Sequence, residues 1–198
     1  MFSVKELKRQ IGYQLGLHHK KDALYRSIPV NDKMWELVLK RSFEKMGAKV
    51  EYDYNSHRKD YDLKTCNIRI SCKSGRLRKY NGDECYIISS HRLGRFPQLS
   101  EKISFLKKKE FDVYYSLSLI EQIDKKNGNI IFKYRLVTIP YDFFKWSQKN
   151  WKKRSKVLKY KTHKFNAEIR KSMSDQLWLM IPTKHIKNFK DYEYEVRK

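Results

Sequence analysis

Two residues of opposite charge, Asp62 and Lys73, stand near the two ends of a segment with the sequence of a tight β-hairpin. A carboxylate oxygen is a ligand for Mg²⁺, and an ammonium group can orient a water or neutralise charge that develops on a phosphate. Because side chains alternate between the two faces of a strand, Ser71 and Lys73 share one face. Ile70 and Cys72 face the other way. The segment therefore predicts a site that holds a divalent cation beside a phosphate group.

The elements that must position these residues follow from the apolar pattern. Apolar residues at helical spacing predict a helix from Lys33 to Met46, capped by Asn31 or Asp32 and stopped by Gly47. Alternation from Lys49 onward predicts a half-exposed strand ahead of the hairpin. A helix, a strand and a hairpin are thus expected in this order.

The rest of the chain gives weaker patterns. Residues 3 to 25 predict one or two short helices, interrupted by Gly12 and Gly16. Residues 74 to 83 are rich in charge and glycine and predict a mobile loop. Further predicted elements are strands over 84–90, 111–120, 130–139 and 176–181, and a helix over 100–109. This order predicts an α/β (α+β) fold with a mixed central sheet flanked by helices, in one domain.

A net charge of +23 indicates the class of partner. The 198 residues include 45 Lys and Arg against 22 Asp and Glu, and unpaired charges stay at the surface. No apolar stretch reaches the roughly 18 residues that a spanning helix needs, and the first residues do not have the pattern of a signal peptide. We therefore expect a cytoplasmic protein that binds nucleic acid and not membrane. Three cysteines without CxxC spacing predict small buried side chains and argue against disulfides or a zinc finger: Cys66, Cys72 and Cys85.

The predicted order of elements from Lys33 to Lys73 resembles the core of the PD-(D/E)xK nuclease superfamily, which includes type II restriction endonucleases and archaeal Holliday-junction resolvases. In that family, a helix acid, an aspartate at the start of the second strand and a (D/E)-x-K motif on the third meet at one edge of the sheet. The resemblance extends to the strand after Glu84. It implies that Glu36 is the helix acid, Asp62 the strand aspartate and Lys73 the lysine, with Mg²⁺ as cofactor.

The chain departs from the family pattern at Ser71, where the family has Asp or Glu. A hydroxyl is a weak Mg²⁺ ligand, so a second carboxylate must come from elsewhere. Some restriction enzymes of the superfamily share this serine, and the resemblance then makes Glu84 the first candidate and Glu36 the second. Asp60 and Asp83 are the remaining choices. The same substitution is also compatible with an inactive relative.

Basic residues in three segments are candidates for DNA contact: Arg76, Arg78, Arg92, Arg95, Lys152, Lys153 and Arg154. The first two lie with Tyr80 in the predicted mobile loop and would close over DNA. The arginines of the turn 91–95 are placed for contacts to base edges. The run 152–164 is a candidate phosphate grip, and its interleaved aromatic residues suggest packing against a backbone or a dimer partner.

These expectations combine into three hypotheses. The first is a type II restriction endonuclease, which hydrolyses phosphodiesters of double-stranded DNA with Mg²⁺. It would have an N-terminal helical segment (1–30), a catalytic core (31–120) and a basic part for DNA binding and dimerisation (121–198). Because double-strand cleavage needs two centres, we expect a homodimer. The alternatives are a Holliday-junction resolvase of the same superfamily and a non-catalytic nucleic-acid-binding protein.

Overall fold

The computed structural model describes residues 3–21, 27–52, 61–154, 157–170 and 175–197. In these ranges the helices are α1 (Val4–Lys21), α2 (Asp32–Lys45) and α3 (Leu99–Lys107). The strands are β1 (Val50–Tyr52), β2 (Leu63–Thr65), β3 (Ile68–Tyr80), β4 (Asp83–Arg92), β5 (Val113–Asp124), β6 (Asn129–Pro140), β7 (Trp151–Arg154), β8 (Val157–Lys161), β9 (Asn166–Arg170), β10 (Gln176–Pro182) and β11 (Phe189–Arg197). Short 3₁₀ turns cover Tyr141–Phe143, Gln148–Asn150 and Thr183–His185.

All strands belong to one mixed sheet with the order β11-β6-β5-β3-β4-β10-β9-β8-β7, and β1 and β2 branch from β3. The chain passes from β4 through α3 to β5, which runs parallel to β3. Other neighbours are antiparallel. The architecture confirms the predicted α/β class at this level. None of the helices in the described ranges is both long and apolar enough to span a membrane.

Two hydrophobic cores lie on opposite faces of the sheet. The first core packs α1 and α2 on Ile70 and Cys72 of β3 and on β6. The second core packs α3 and the segment after β6 on β4, β5 and β10. Because side chains alternate along a strand, Ser71 and Lys73 point to the side of the second core.

Helix α2 agrees with its prediction within a residue at each end. The Asn31 side chain accepts a hydrogen bond from Met34 N at 3.0 Å, which satisfies one amide of the first turn. Trp35 is fully buried, and its indole nitrogen donates to the Tyr115 carbonyl at 3.0 Å. These contacts fix the helix against β5.

Helix α1 is continuous, so the predicted interruption at Gly12 and Gly16 is wrong. A β-carbon on Gly12 would lie 3.0 Å from the Tyr192 ring, and one on Gly16 would lie 3.4 Å from the Tyr194 ring. Tyr194 Oη also donates to the Gly12 carbonyl at 2.7 Å. The glycines therefore allow β11 to approach the helix closely and do not end it.

The predicted mobile loop over 74–83 is also wrong. Strand β3 continues to Tyr80, and Asn81 and Gly82 form a two-residue turn with positive φ angles of 51° and 86°. Both central residues of a type I′ hairpin turn need positive φ. The segment resembled a loop because Arg76 and Arg78 lie on the side of the strand that faces solvent.

The aromatic residues of the basic run contact the protein's own interior. Residues with buried rings in the second core are Phe144, Trp146, Trp151, Tyr160 and Phe165. Tyr160 Oη donates to the Lys145 carbonyl at 2.7 Å. Their predicted packing against a DNA backbone or a dimer partner is therefore wrong. Cys72 and Cys85 are buried as predicted, whereas Cys66 is exposed in the β2–β3 turn.

Candidate active site

Asp62 and Lys73 meet, as the hairpin predicted. Lys73 Nζ lies 3.3 Å from Asp62 Oδ2, and the same oxygen accepts hydrogen bonds from the Ser71 hydroxyl at 3.3 Å and from Cys72 N at 2.7 Å. The side chains of Asp62 and Lys73 keep 16% and 25% of their exposure, so the pair is shielded but reachable from solvent. Asp62 Oδ1 has no hydrogen-bond partner among the described residues, which leaves this oxygen available for a ligand.

The site lies in a gap along one edge of β3. On that edge β2 pairs with residues 68–70 and β4 pairs with residues 75–80, whereas β5 occupies the opposite edge. Residues 71–74 therefore have a strand partner only on the β5 side, within the described part of the chain. The carboxylate of Asp62 takes the Cys72 amide that a neighbouring strand would otherwise bind. We call this stretch the strand gap.

Glu36 lies near the strand gap on α2. The residue is 6% exposed, and its carboxylate accepts from Lys33 Nζ at 3.0 Å and from Tyr52 Oη at 3.2 Å. Burial raises the pKa of the Cys72 thiol well above its usual range, and the charges of Asp62 and Glu36 raise this pKa further. Both carboxylates thus act on the residue between Ser71 and Lys73.

The wall of the strand gap contains residues that the sequence did not single out. The ring nitrogen Nε2 of His91 is buried without a hydrogen-bond partner in the described ranges. Burial, together with the nearby charges of Lys73 and Arg95, lowers the pKa of His91 to about 3, so His91 is neutral at neutral pH. Ser90 and Tyr114 are hydrogen-bonded to each other in the same region. His91 was visible only as part of a basic turn, and no spacing indicated its burial.

Glu84 is not brought to the strand gap, so its choice as the first candidate for the missing carboxylate is wrong. Its backbone pairs with Lys79, six residues beyond Lys73 on β3, which is about 20 Å along a strand. Its carboxylate contacts the Thr183 hydroxyl at 3.3 Å. Asp83 is similarly remote and pairs with Lys184 at 3.0 Å. Asp60 lies outside the described residues.

The carboxylate oxygens near the strand gap suit a hard cation that takes only one or two of its ligands from the protein. No group of three His, Cys, Asp or Glu side chains with metal-binding geometry occurs within the described ranges. Mg²⁺ is commonly held by one or two carboxylates together with waters and substrate phosphates. Asp62 can supply one carboxylate, whose Oδ1 accepts no hydrogen bond from the described residues, and Glu36 is the other carboxylate whose charge reaches Cys72. Asp62 therefore fits an ion whose other ligands are mainly waters and substrate oxygens.

One of the predicted DNA contacts, Arg95, lies close to the strand gap. Arg92 is exposed at the end of β4, and Arg95 is exposed in the turn that follows. The guanidinium of Arg95 lies 4.9 Å from the Phe96 ring and 4.8 Å from the Phe105 ring. Its charge acts on His91, next to Lys73. Arg95 is therefore placed near a substrate that would occupy the gap, whereas Arg92 pairs in register with Gln176 of β10.

The other predicted contacts divide between faces. Arg76 and Arg78 alternate with Leu77, which packs on the second core, so the arginines point to the face opposite Lys73. They are not part of a flexible loop over the gap. On β7, the side chains of Lys152 and Arg154 share one face, while that of Lys153 points to the other.

Comparison of the chain with family models, with curated proteins and with solved structures gives no match.

Proposed function

We propose that the chain is a Mg²⁺-dependent endodeoxyribonuclease of the type II restriction class, which hydrolyses phosphodiester bonds of double-stranded DNA. The observation that carries the proposal is the contact of Lys73 Nζ with Asp62 Oδ2 at 3.3 Å in a gap between two strands. A carboxylate can help to hold a metal ion that activates water, and an ammonium group can stabilise the charge that develops on the phosphate.

Each residue of the strand gap has a role in this chemistry. Asp62 and Glu36 would hold Mg²⁺, which when bound polarises the phosphate and acidifies a coordinated water. Lys73 positions the attacking water or neutralises the charge that develops on the phosphate. Ser71 and Cys72 N fix the Asp62 carboxylate, so Oδ1 keeps one direction. Arg92 and Arg95 would contact base edges of the bound DNA.

The resemblance to the PD-(D/E)xK superfamily supports the same proposal. The order α2, β1, β2, β3 and the approach of an aspartate, a lysine and a helix glutamate are what that resemblance implies. A twofold homodimer would supply the second centre for double-strand cleavage.

A second candidate, a non-catalytic nucleic-acid-binding protein, is favoured by one observation. Ser71 stands where the family has an acid, and its hydroxyl donates a hydrogen bond to Asp62, whereas an acid at this position would give a metal ion a second carboxylate ligand. A Holliday-junction resolvase would use the same chemistry as the restriction enzyme, and the substrate distinguishes the two.

The test is digestion of plasmid and of four-way junctions with Mg²⁺ by the wild type, Lys73→Ala and the control Lys79→Ala. Lys79 is an exposed lysine on the same strand and the same nominal face, outside the gap. We expect Lys73→Ala to reduce cutting by about 10³-fold, with DNA binding in Ca²⁺ retained. Lys79→Ala should cut as the wild type does.

The fragments decide between the candidates. Discrete plasmid fragments support a restriction enzyme, and cuts confined to junctions support a resolvase. Binding without any cutting supports the non-catalytic protein. Equal activity of Lys73→Ala and Lys79→Ala would remove the strand gap from the mechanism.

A further inference from the structure

Strands β7 to β10 have one face in the second core and one face that carries cations. Core side chains such as Leu158 and Ile169 alternate with residues that face away. We define the basic face by its cationic members: Lys152 and Arg154 of β7, Lys159 and Lys161 of β8, Arg170 of β9, and Arg76 and Arg78 of β3. It lies on the side of the sheet opposite Lys73.

Cations are placed opposite each other within this face. Lys152 on β7 pairs in register with Lys159 on β8. Like charges that are directly opposite in an antiparallel pair destabilise the sheet. The arrangement therefore does not serve folding, and an anion bound between the two amines would remove the repulsion.

Negative charge on the four strands is already balanced. Glu168 is the one acidic residue in β7 to β10, and its carboxylate contacts Arg170 at 2.9 Å and Lys159 at 3.4 Å. Tyr80 Oη donates to it at 2.8 Å. Although burial opposes the change, the hydrogen bonds of Tyr80 and Arg170 lower the pKa of Glu168. Lys152, Arg154 and Lys161 form no ion pair with a described residue.

The face is concave and rich in donors. A cavity of about 590 Å³ lies between Tyr80 and Asn81 at the tip of the β3–β4 hairpin and the strands β7 to β9. Five cationic side chains line it: Lys149, Lys152, Arg154, Lys159 and Lys161. Lysine, arginine and asparagine side chains are the usual partners of phosphate oxygens in DNA complexes.

The cations extend beyond the cavity. Trp178 lies between two guanidinium groups, with Arg76 at 5.2 Å and Arg170 at 5.6 Å from the ring. Five strand intervals separate β7 from β3, which gives a path of about 24 Å. DNA carries a phosphate every 3.4 Å along each strand of the duplex. A row of cations about 24 Å long is therefore suited to a polyanion and is longer than a small anion.

We propose that the basic face is a second nucleic-acid-binding surface, which holds the phosphate backbone of double-stranded DNA on the side of the sheet away from the strand gap. The choice of DNA as the polyanion rests on the proposed function, whereas the phosphate recognition does not. A nuclease with this surface would contact DNA outside the segment that it cuts.

The test compares two doubly substituted chains with the same loss of charge. Lys152→Gln/Lys161→Gln removes two amines of the basic face that form no ion pair with a described residue. The control Lys5→Gln/Lys126→Gln removes one exposed amine from α1 and one from the β5–β6 turn. Binding of a fluorescent DNA duplex is measured in Ca²⁺ at several salt concentrations, in full-length protein that also carries Lys73→Ala.

We expect the basic-face variant to bind about tenfold more weakly and to lower the slope of log affinity against log salt by about 1.8, and the control to change affinity less than about twofold. The melting temperature of the basic-face variant should equal or exceed that of the control. Equal weakening in both variants would overturn the proposal, because bulk charge would then explain binding. A lower melting temperature with weaker binding would also overturn it, as would full competition by inorganic phosphate or preference for duplex RNA. An uncut plasmid would refute the nuclease without affecting this binding result.

Discussion

The strand gap and the basic face differ in whether their charged side chains have partners of opposite charge. In the strand gap, Asp62 accepts from three donors and Lys73 has an acid partner at 3.3 Å. On the basic face, Lys152 stands opposite Lys159 and the single acid of the four strands is already shared. Substitution of a charged residue should therefore destabilise the protein at the strand gap and slightly stabilise it at the basic face. In both regions the substitution should weaken the proposed function. This contrast separates the proposed catalytic site from the proposed binding surface.

The largest effect is expected where the two regions join on β3. A β-carbon on Gly75 would lie 2.2 Å from Tyr86 Cζ, and the Tyr86 ring is fully buried. We predict that Gly75→Ala lowers the free energy of unfolding by about 3 kcal/mol because the ring has no free space to enter. Chemical denaturation measures the change, with the exposed neighbour Ser74→Ala as control. A loss equal to that of the control would show that the ring moves easily.

The charge contrast is tested directly by Asp62→Ala. The substitution leaves Ser71, Cys72 N and Lys73 without their shared acceptor, and we predict a loss of about 2 kcal/mol in the free energy of unfolding. Asp83→Ala, which removes an exposed partner of Lys184, should change it by less than about 0.5 kcal/mol. If Asp62→Ala and Asp83→Ala lose similar free energies of unfolding, the Asp62 contacts are no stronger than an exposed ion pair.

The pH dependence of stability tests whether His91 in the wall of the strand gap is buried. Burial lowers the pKa of His91 to about 3 in the folded chain, whereas His91 in the unfolded chain has the ordinary pKa of about 6.5. Between these two values the unfolded chain binds a proton at His91 and the folded chain does not. Stability is then present above the unfolded pKa and falls as the pH drops below it. Relative to His91→Phe, the wild type should lose about 2 kcal/mol between about pH 7.5 and pH 5. His163→Phe, at an exposed histidine, should keep the wild-type slope in urea titrations.

The smallest effect is expected on the basic face. Lys152→Thr removes one of two directly opposed amines and should raise the free energy of unfolding by about 0.5 kcal/mol. Lys153→Thr, one residue away on the other face, provides the matched control for strand propensity. A decrease for Lys152→Thr relative to Lys153→Thr would mean that the lysine stabilises the sheet and that the contrast fails.

The candidate site could be predicted in part because its key residues are close in sequence. Alternation within one hairpin was enough to bring Asp62 beside Ser71 and Lys73, and a helix signal placed Glu36 ahead of them. Glu84 was misplaced because the length of β3 was not visible. Its outer half has charged residues on the solvent side and Gly75 against Tyr86, a pattern that also characterises loops.

The basic run shows what local patterns omit. Lys152, Lys153 and Arg154 are equivalent in sequence, and only strand pairing assigns Lys153 to one face and its neighbours to the other. The tryptophans between the lysines were predicted to contact a partner because their core partners lie on distant strands. Such long-range register depends on tertiary packing and has no local signature.

Strand β3 is one continuous strand from the hairpin turn at Asn67 to the turn at Asn81. A shift of its alignment by a single residue would exchange inward and outward positions along the whole length. Lys73 would leave Asp62, and Arg76 and Arg78 would at the same time enter the second core. One alignment thus sets both the proposed reactive centre and the distant row of cations, so neither can shift while the other is kept.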